Sequence, residues 1–215
     1  MPDLAALDLA PETTALVVID LQRGITSRQV APHTAGQVLE RAARLAAQFR
    51  KREATVVLVR VGYSADDRDR LKPPADVAPP SASSPADFSE LMPALDQQPS
   101  DLIITKRQWG AFYGTELDLQ LRRRGIETLV LCGISTNFGV ESTGRDAWER
   151  GYGLVFVEDA MAGLSAEAHQ FAIATIFPRI GQVRSTELVL SAMGALPGRR
   201  SGEQRTSGPS QSKRE

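Results

Sequence analysis

The feature that most restricts the fold is an alternation between short apolar runs and stretches with the hydrophobic spacing of helices. The apolar runs occupy residues 13–19, 54–61, 102–105, 128–133, 153–157 and 180–184. The helical stretches cover about residues 35–52, 116–124, 140–150 and 165–177. Continuous apolar strands are typical of parallel sheets with both faces covered, and each crossover should be right-handed. We therefore predict a single-domain α/β fold, a doubly wound, Rossmann-like six-stranded parallel sheet with helices on both faces.

The chain of 215 residues suits one large domain, which we place at residues 1–196. Within it, residues 71–100 contain seven of the thirteen prolines, so we expect a long irregular loop there. Residues 197–215 are rich in Ser, Gly and Arg and lack aromatic residues. Such a segment buries too little apolar surface to offset its ordering entropy, and we predict a disordered basic tail.

Composition excludes several classes of function. The formal net charge of −1 gives no electrostatic footprint for nucleic acid. The apolar runs, such as 129–134, are too short to span a bilayer, so we expect no membrane partner. Residues 1–3 have neither the basic region nor the apolar core of a signal peptide, and we expect a cytoplasmic protein. The single cysteine, Cys132, rules out an internal disulfide.

Polar residues follow three of the predicted strands. Asp20 follows the first strand, Lys106 follows 102–105, and residues 133–139 lead from the next strand into a helix. Ligands of open parallel sheets bind beyond the carboxyl ends of the strands, so these segments should open onto one edge. Taken singly, each has a structural explanation, because such an Asp often caps a turn and a lone lysine is usually solvated.

Motifs for other chemistries are missing from the sequence. Neither a Walker A loop nor a G-x-G-x-x-G motif follows the first strand, and there is no G-x-S-x-G elbow. The two histidines, His33 and His169, lack metal-ligand spacing, and we interpret both as surface or helix residues. We predict no metal site and no cofactor.

Three segments together carry a resemblance to a known family. They are Ala15–Gln22, Lys106–Phe112 and Leu131–Thr143, with Asp159-Ala160 after the fifth strand as a further match. The chain resembles the isochorismatase-like, or cysteine hydrolase, superfamily over about residues 12–190, and most closely its uncharacterised bacterial isochorismatase-like hydrolases. The resemblance implies a six-stranded parallel sheet, a small-molecule substrate and a homo-oligomer.

The usual catalytic triad of that superfamily is Asp, Lys and Cys. Carried over by position, the first two roles fall on Asp20 and Lys106, and the nucleophile position falls on Gly139. Cys132 lies seven residues earlier in a buried strand, where a cysteine behaves as an inert hydrophobe. The nicotinamidase metal site is also missing, since residues 60–67 contain no histidine. True isochorismatases likewise have Gly at the nucleophile position.

Three hypotheses follow for the function. In the first, a hydrolase without a covalent nucleophile cleaves a vinyl ether: Asp20 protonates the enol-ether carbon and Lys106 fixes the substrate. In the second, Asp20 activates water for hydrolysis of an amide-like substrate. In the third, the protein is a catalytically silent small-molecule binder. A carboxylate beside Lys106 should have a lowered pKa, which suits a general base better than an acid.

We predict that five further residues bind the substrate: Gln22, Trp109, Phe112, Ser135 and Asn137. Trp109 and Phe112 have an equally good alternative role in core packing or a subunit contact. Backbone N–H groups near Gly139, at a helix N-terminus, are predicted to hold a carboxylate or a developing oxyanion.

Overall fold

A computed structural model describes residues 7–77 and 85–194. It contains a six-stranded sheet in the order β3-β2-β1-β4-β5-β6 in which every neighbouring pair is parallel. The strands are β1 Thr14–Ile19, β2 Thr55–Val61, β3 Leu102–Lys106, β4 Thr128–Ile134, β5 Gly153–Ala162 and β6 Gln182–Arg184. The predicted α/β class and six parallel strands are confirmed.

Within the described ranges, seven α-helices connect and cover the strands. They are α1 Arg23–Thr26, α2 Ala35–Lys51, α3 Leu117–Arg123, α4 Glu141–Glu149, α5 Ala166–Phe171, α6 Phe177–Ile180 and α7 Thr186–Gly194. The wider π-helical turns Thr136–Val140 and Ala172–Ile176 precede α4 and α6, and Pro11–Thr13 and Pro93–Leu95 are single 3₁₀ turns. No helix of the described ranges is long and apolar enough to cross a membrane.

Two apolar layers enclose the sheet. All six residues of β1 are buried, and their side chains alternate between the layers, with Val18 in one and Val17 in the other. One layer contains the apolar stripe of α2 together with α7, and the other contains apolar residues of α3, α4 and α6. This two-sided burial explains why the strands are apolar without interruption.

Local signals in the sequence account for the helix boundaries. Thr34 and Gln37 form a reciprocal capping box at the start of α2. Gly125 and Gly151, which follow α3 and α4, have φ of 66° and 84°, the left-handed conformation expected of glycines that end helices.

Two elements differ from the predicted series. The fifth strand continues to Ala162, so Asp159 and Ala160 lie inside it, because β4–β5 pairing shifts register and resumes at Gly133 opposite Met161. Helix α7 was not predicted, since its apolar residues are spread around the helix instead of forming one stripe. Asp159 joins the two: its Oδ1 accepts from the N–H and hydroxyl of Thr186 at 2.7 and 2.8 Å.

The described part of the proline-rich segment 71–100 contains only the 3₁₀ turn at 93–95 as a helix, which agrees with the predicted irregular loop. Leu95 of that turn is buried beneath α2. The tail 197–215 lies outside the described residues, so the domain boundary and the tail stay predictions.

Close packing at Gly144 of α4 gives a test of the core. A Cβ at Gly144 would lie 2.7 Å from the ring of Phe156, which is itself stacked on Phe177 at 3.8 Å. We expect Gly144→Ala to lower the free energy of unfolding by about 1–3 kcal/mol, since overpacking outweighs the gain in helix propensity.

Gly36→Ala is the matched control. Gly36 is exposed near the start of α2, where a Cβ would meet only the Thr34 side chain at 3.9 Å. This variant should be neutral or slightly more stable than the parent protein. Urea denaturation of both variants measures the difference, and equal stabilities would contradict the packing described for α4.

Candidate functional site

Asp20 and Lys106 meet at the carboxyl edge of the sheet. Asp20 directly follows β1 in the left-handed conformation, with φ of 53°, and its N–H bonds to the Val59 carbonyl at 2.9 Å. Lys106 ends β3, two strands away. Its Nζ lies 2.8 Å from Oδ2 of Asp20, and the two side chains are only 1% and 9% exposed. The structure thus brings together two residues that the strand-end rule singled out.

One carboxylate oxygen of this pair has no hydrogen-bond partner. Lys106 Nζ bonds to Asp20 Oδ2 and donates a second bond to the Trp109 carbonyl at 2.5 Å. Asp20 Oδ1 is the only buried side-chain N or O atom within residues 7–77 and 85–194 that lacks a hydrogen-bond partner. Buried polar atoms are nearly always bonded, so this exception at a strand end makes Asp20 Oδ1 a candidate ligand-binding atom.

Burial sets the acidity of Asp20. Removal from water raises the pKa of this carboxyl above its ordinary value, and the nearby charges of Lys106 and Arg28 offset the effect only in part. This rise in the pKa is opposite to the lowering that the neighbouring Lys106 charge alone predicts. A raised pKa suits a group that delivers a proton.

Gly139 closes the third side of the site. It lies in the π-helical turn Thr136–Val140, and a Cβ built on it would be 3.1 Å from Asp20 Oδ2 and 3.2 Å from Lys106 Nζ. Thr143 fixes this turn, because its hydroxyl donates to the Gly139 carbonyl at 2.7 Å and accepts from Ala111 N–H at 3.2 Å. The three positions carried over from the resemblance therefore converge.

Glycine is required where β4 passes β1. Gly133 has φ of 120°, and a Cβ there would lie 2.1 Å from the Ile19 carbonyl oxygen. The following peptide bond, between Ile134 and Ser135, is cis. This close passage brings the turn that contains Gly139 against the end of β1 and Asp20.

Three of the five predicted substrate-binding residues lie around this site with accessible surface. Trp109 is 63% exposed, and its ring packs edge-on against Phe138 at 4.8 Å between centroids. Ser135 and Asn137 are partly buried, and their side-chain oxygens lie 3.3 Å apart. All three keep the predicted binding role as a proposal.

Gln22 and Phe112 do not fit the predicted binding role. Gln22 is fully buried, and its amide bonds to the backbone of Val61 in both directions at 2.9 and 2.7 Å and to the Phe88 carbonyl at 2.8 Å. Phe112 is 3% exposed and packs in the core beside Tyr152. Gln22 instead joins the ends of β1 and β2, and Phe112 takes the alternative role of core packing.

Sequence reasoning missed a supporting contact behind the turn. His169, interpreted above as a surface or helix residue, lies on α5 but is buried, and its Nδ1 is 2.8 Å from the Thr136 hydroxyl. Burial lowers the pKa of His169, which favours the neutral ring. The position of His169 on the sheet-facing side of the predicted helix 165–177 was the sequence signal that could have indicated its burial. Within the described residues, no three metal-ligating side chains converge on a possible metal site.

The position of Gly139 beside Lys106 can be tested by cysteine labelling. The native Cys132 is fully buried, and burial raises its pKa to about 12, so the parent protein should resist iodoacetamide. A Cβ at 139 would lie 2.9 Å from Ile19 Cγ2, so Ile19 must shift slightly in Gly139→Cys. The new thiol would then contact the Lys106 ammonium, which stabilises the thiolate. We expect one adduct by mass spectrometry, formed at neutral pH about ten times faster than on an exposed thiol.

Gln97→Cys supplies the exposed reference thiol, because Gln97 is exposed and lies in the segment before β3, at the opposite end of that strand from Lys106. Equal labelling rates for the two variants would contradict the placement of Gly139 against the ion pair.

Comparisons with known proteins show which family the chain is similar to. The model of the isochorismatase domain matches residues 14–188. The chain is 56% identical over 187 residues to YecD of Escherichia coli, an uncharacterised isochorismatase family protein, covering 87% of this chain and 100% of that one. It is 31% identical over 220 residues to the ureidoacrylate amidohydrolase RutB of Methylorubrum extorquens, covering 89% and 87%.

Solved structures agree with the sequence comparison. An isochorismatase family protein from Burkholderia thailandensis matches with a TM-score of 0.84 and 46% identity, over 87% of this chain and 98% of that one. The domain match begins at the first residue of β1 and reaches into α7. The chain belongs to the isochorismatase family.

Proposed function

We propose that this protein hydrolyses a vinyl ether in a small metabolite, without a covalent intermediate, and that Asp20 is the general acid. The observation that carries the proposal is the buried, unpartnered Oδ1 of Asp20 beside a glycine. A carboxyl with a raised pKa and one open oxygen can hold a proton toward a bound substrate. Gly139 has no side chain with which to attack it.

The chemistry balances with one water molecule. The protonated Oδ1 of Asp20 transfers its proton to the terminal enol-ether carbon, which leaves a carboxylate and an oxocarbenium ion. Water adds to that cation and loses a proton, which restores the Asp20 acid. The hemiketal then breaks the C–O bond to the departing oxygen, which takes up the proton of the hemiketal hydroxyl, and a ketone and an alcohol result.

In this proposal, Lys106 stabilises the negative charge that develops on Asp20 in the transition state. Its ammonium is held by Asp20 Oδ2 and the Trp109 carbonyl, so it cannot turn away when the carboxylate forms. A fixed positive charge beside a developing negative charge needs no reorganisation in the transition state. Ser135, Asn137 and Trp109 would contact the substrate, and the backbone N–H groups near Gly139 would bind its carboxylate.

The likeness to RutB favours a second candidate, hydrolysis of an amide-like substrate. RutB is named as an amidohydrolase and is 31% identical to this chain. In this reaction the ionised Asp20 would accept a proton from water, which then attacks the carbonyl carbon. The raised pKa of Asp20 leaves less of the required carboxylate at a given pH and is unfavourable for this role.

Pyruvate release from isochorismate tests the vinyl-ether reaction. We expect the parent protein to release pyruvate, and Asp20→Asn to lower kcat by roughly 10²–10⁴-fold, because it removes the acid. Asp96→Asn is the matched control: Asp96 is exposed and also left-handed, with φ of 48°. It should retain full activity.

Failure of the reaction has two distinguishable forms. Ammonia release from ureidoacrylate without pyruvate release would replace the vinyl-ether proposal by the amide reaction. A tightly bound metabolite in the purified protein, with neither reaction, would identify a silent binder.

The pH dependence of kcat/KM separates an acid from a base. An acid must be protonated, so log kcat/KM should be level below the Asp20 pKa and fall with a slope of about −1 above it. Because burial raises that pKa, the level region should extend above the ordinary titration range of an aspartic acid. A rate that rises with pH through this range would assign Asp20 the role of base.

A further inference from the structure

A cleft of about 300 Å³ opens at the carboxyl ends of β2 and β3. We call it the Arg60 cleft. Its polar lining comprises Arg60, Tyr63, Ser89, Glu90, Thr105 and Arg107, and Gly62 contributes backbone. The volume is at the small end of the range for small-molecule sites.

The Arg60 cleft lies on the opposite face of the sheet from the Lys106 side chain. Arg60 pairs in register with Thr105, so the two side chains project from one face, and Arg60 Nε donates to Thr105 Oγ1 at 3.0 Å. Successive residues of a strand point to opposite faces, which places Lys106 on the other side. The Arg60 and Thr105 side chains of the cleft therefore face away from Lys106, whereas Tyr63 is close enough to Asp20 for the Asp20 charge to act on its pKa.

Arg60 has a charge without a counter-charge. It is partly buried, and the bond to Thr105 is its only side-chain hydrogen bond within residues 7–77 and 85–194, where no carboxylate forms an ion pair with it. Glu90, which lines the cleft, pairs with Arg23 at 2.9 Å, and Asp69 pairs with the lining residue Arg107 at 3.0 Å. A guanidinium has five N–H donors, so most of the hydrogen-bonding capacity of Arg60 is available to a ligand in the cleft.

The rest of the lining supplies donors and space. Thr105 Oγ1 accepts from Arg60, so its own proton is available for a second partner. Burial raises the pKa of Tyr63, whose hydroxyl stays a donor. A Cβ at Gly62 would approach Ser89 Oγ to 3.0 Å and Thr105 Cγ2 to 3.2 Å, so glycine keeps the floor open.

We propose that the Arg60 cleft binds a small oxyanion, a carboxylate or phosphate group, that forms a forked pair with the free N–H groups of Arg60. The planar guanidinium matches both groups geometrically. The hydroxyls of Thr105 and Tyr63 supply further hydrogen bonds to the anion. The anion would bind on the opposite face of the sheet from the Lys106 side chain, and the proposal does not depend on the reaction catalysed at Asp20.

Titration of the full chain with inorganic phosphate, and separately with succinate, tests the proposal. Backbone amide shifts should move saturably at Gly62 and Ser89, with Kd in about the millimolar range, and not at Gly139. Arg60→Gln should weaken binding about tenfold or more, whereas Arg44→Gln, at an exposed arginine on α2, should leave it unchanged. The tighter of the two probes identifies the preferred oxyanion.

Gly62→Ala is a second variant that leaves Arg60 in place and fills the floor of the cleft. It should also weaken binding, which guards against a folding defect in Arg60→Gln. Shifts confined to residues 136–140, no saturable shift with either probe, or equal affinity in a folded Arg60→Gln would each overturn the proposal.

Discussion

The structure of the site depends on the Asp20 carboxyl group and the Lys106 ammonium, which are held together out of water at the end of a parallel sheet. Isolating either charge in such a place costs several kcal/mol or more, and their mutual attraction repays the cost only when the geometry is tight. The 2.8 Å contact between Asp20 and Lys106 meets that requirement. It is possible because parallel strands β1 and β3 end at one edge, with β2 between them.

The surroundings of the pair are built from small residues and from side chains that bond to backbone. Gly133 lets β4 pass β1 at close range, and Thr143 holds the turn in which Gly139 lies. Gln22 ties the ends of β1 and β2 together through the backbone of Val61. Each contact fixes main chain around Asp20, whose pKa is set by its burial and by the side-chain charges of Lys106 and Arg28.

Much of this arrangement could be predicted from sequence because it follows from periodicity. The apolar runs predict the strands, and Gly125 and Gly151 mark the ends of two helices. The ends of the predicted strands indicate Asp20 and Lys106 as candidate site residues. The direction of side chains in the loops could not be predicted, since no period applies there. In the structure, Phe112 packs in the core, and the side-chain amide of Gln22 hydrogen-bonds to backbone groups.

Quantities that depend on three-dimensional burial were also beyond the sequence. A neighbouring lysine indicates a lowered pKa for Asp20, whereas the depth of the carboxyl reverses the direction. The continuation of β5 through Asp159 depends on a register shift against β4, and no residue of β5 indicates that shift in the sequence. The roles of the site residues and the homo-oligomer stay predictions.

The tight packing at Gly139 has an evolutionary consequence. A Cβ at this position would also approach Ile19 Cγ2 to 2.9 Å, closer than side chains normally come. Replacing this glycine by any residue with a side chain therefore requires Ile19 to shift or to become smaller. A lineage that acquires a side chain at 139 benefits from a smaller residue at 19 first, and one that has filled the space at 19 is held to glycine. Positions 139 and 19 are therefore coupled by packing, and a side chain at 139 should be tolerated better when residue 19 is smaller than isoleucine.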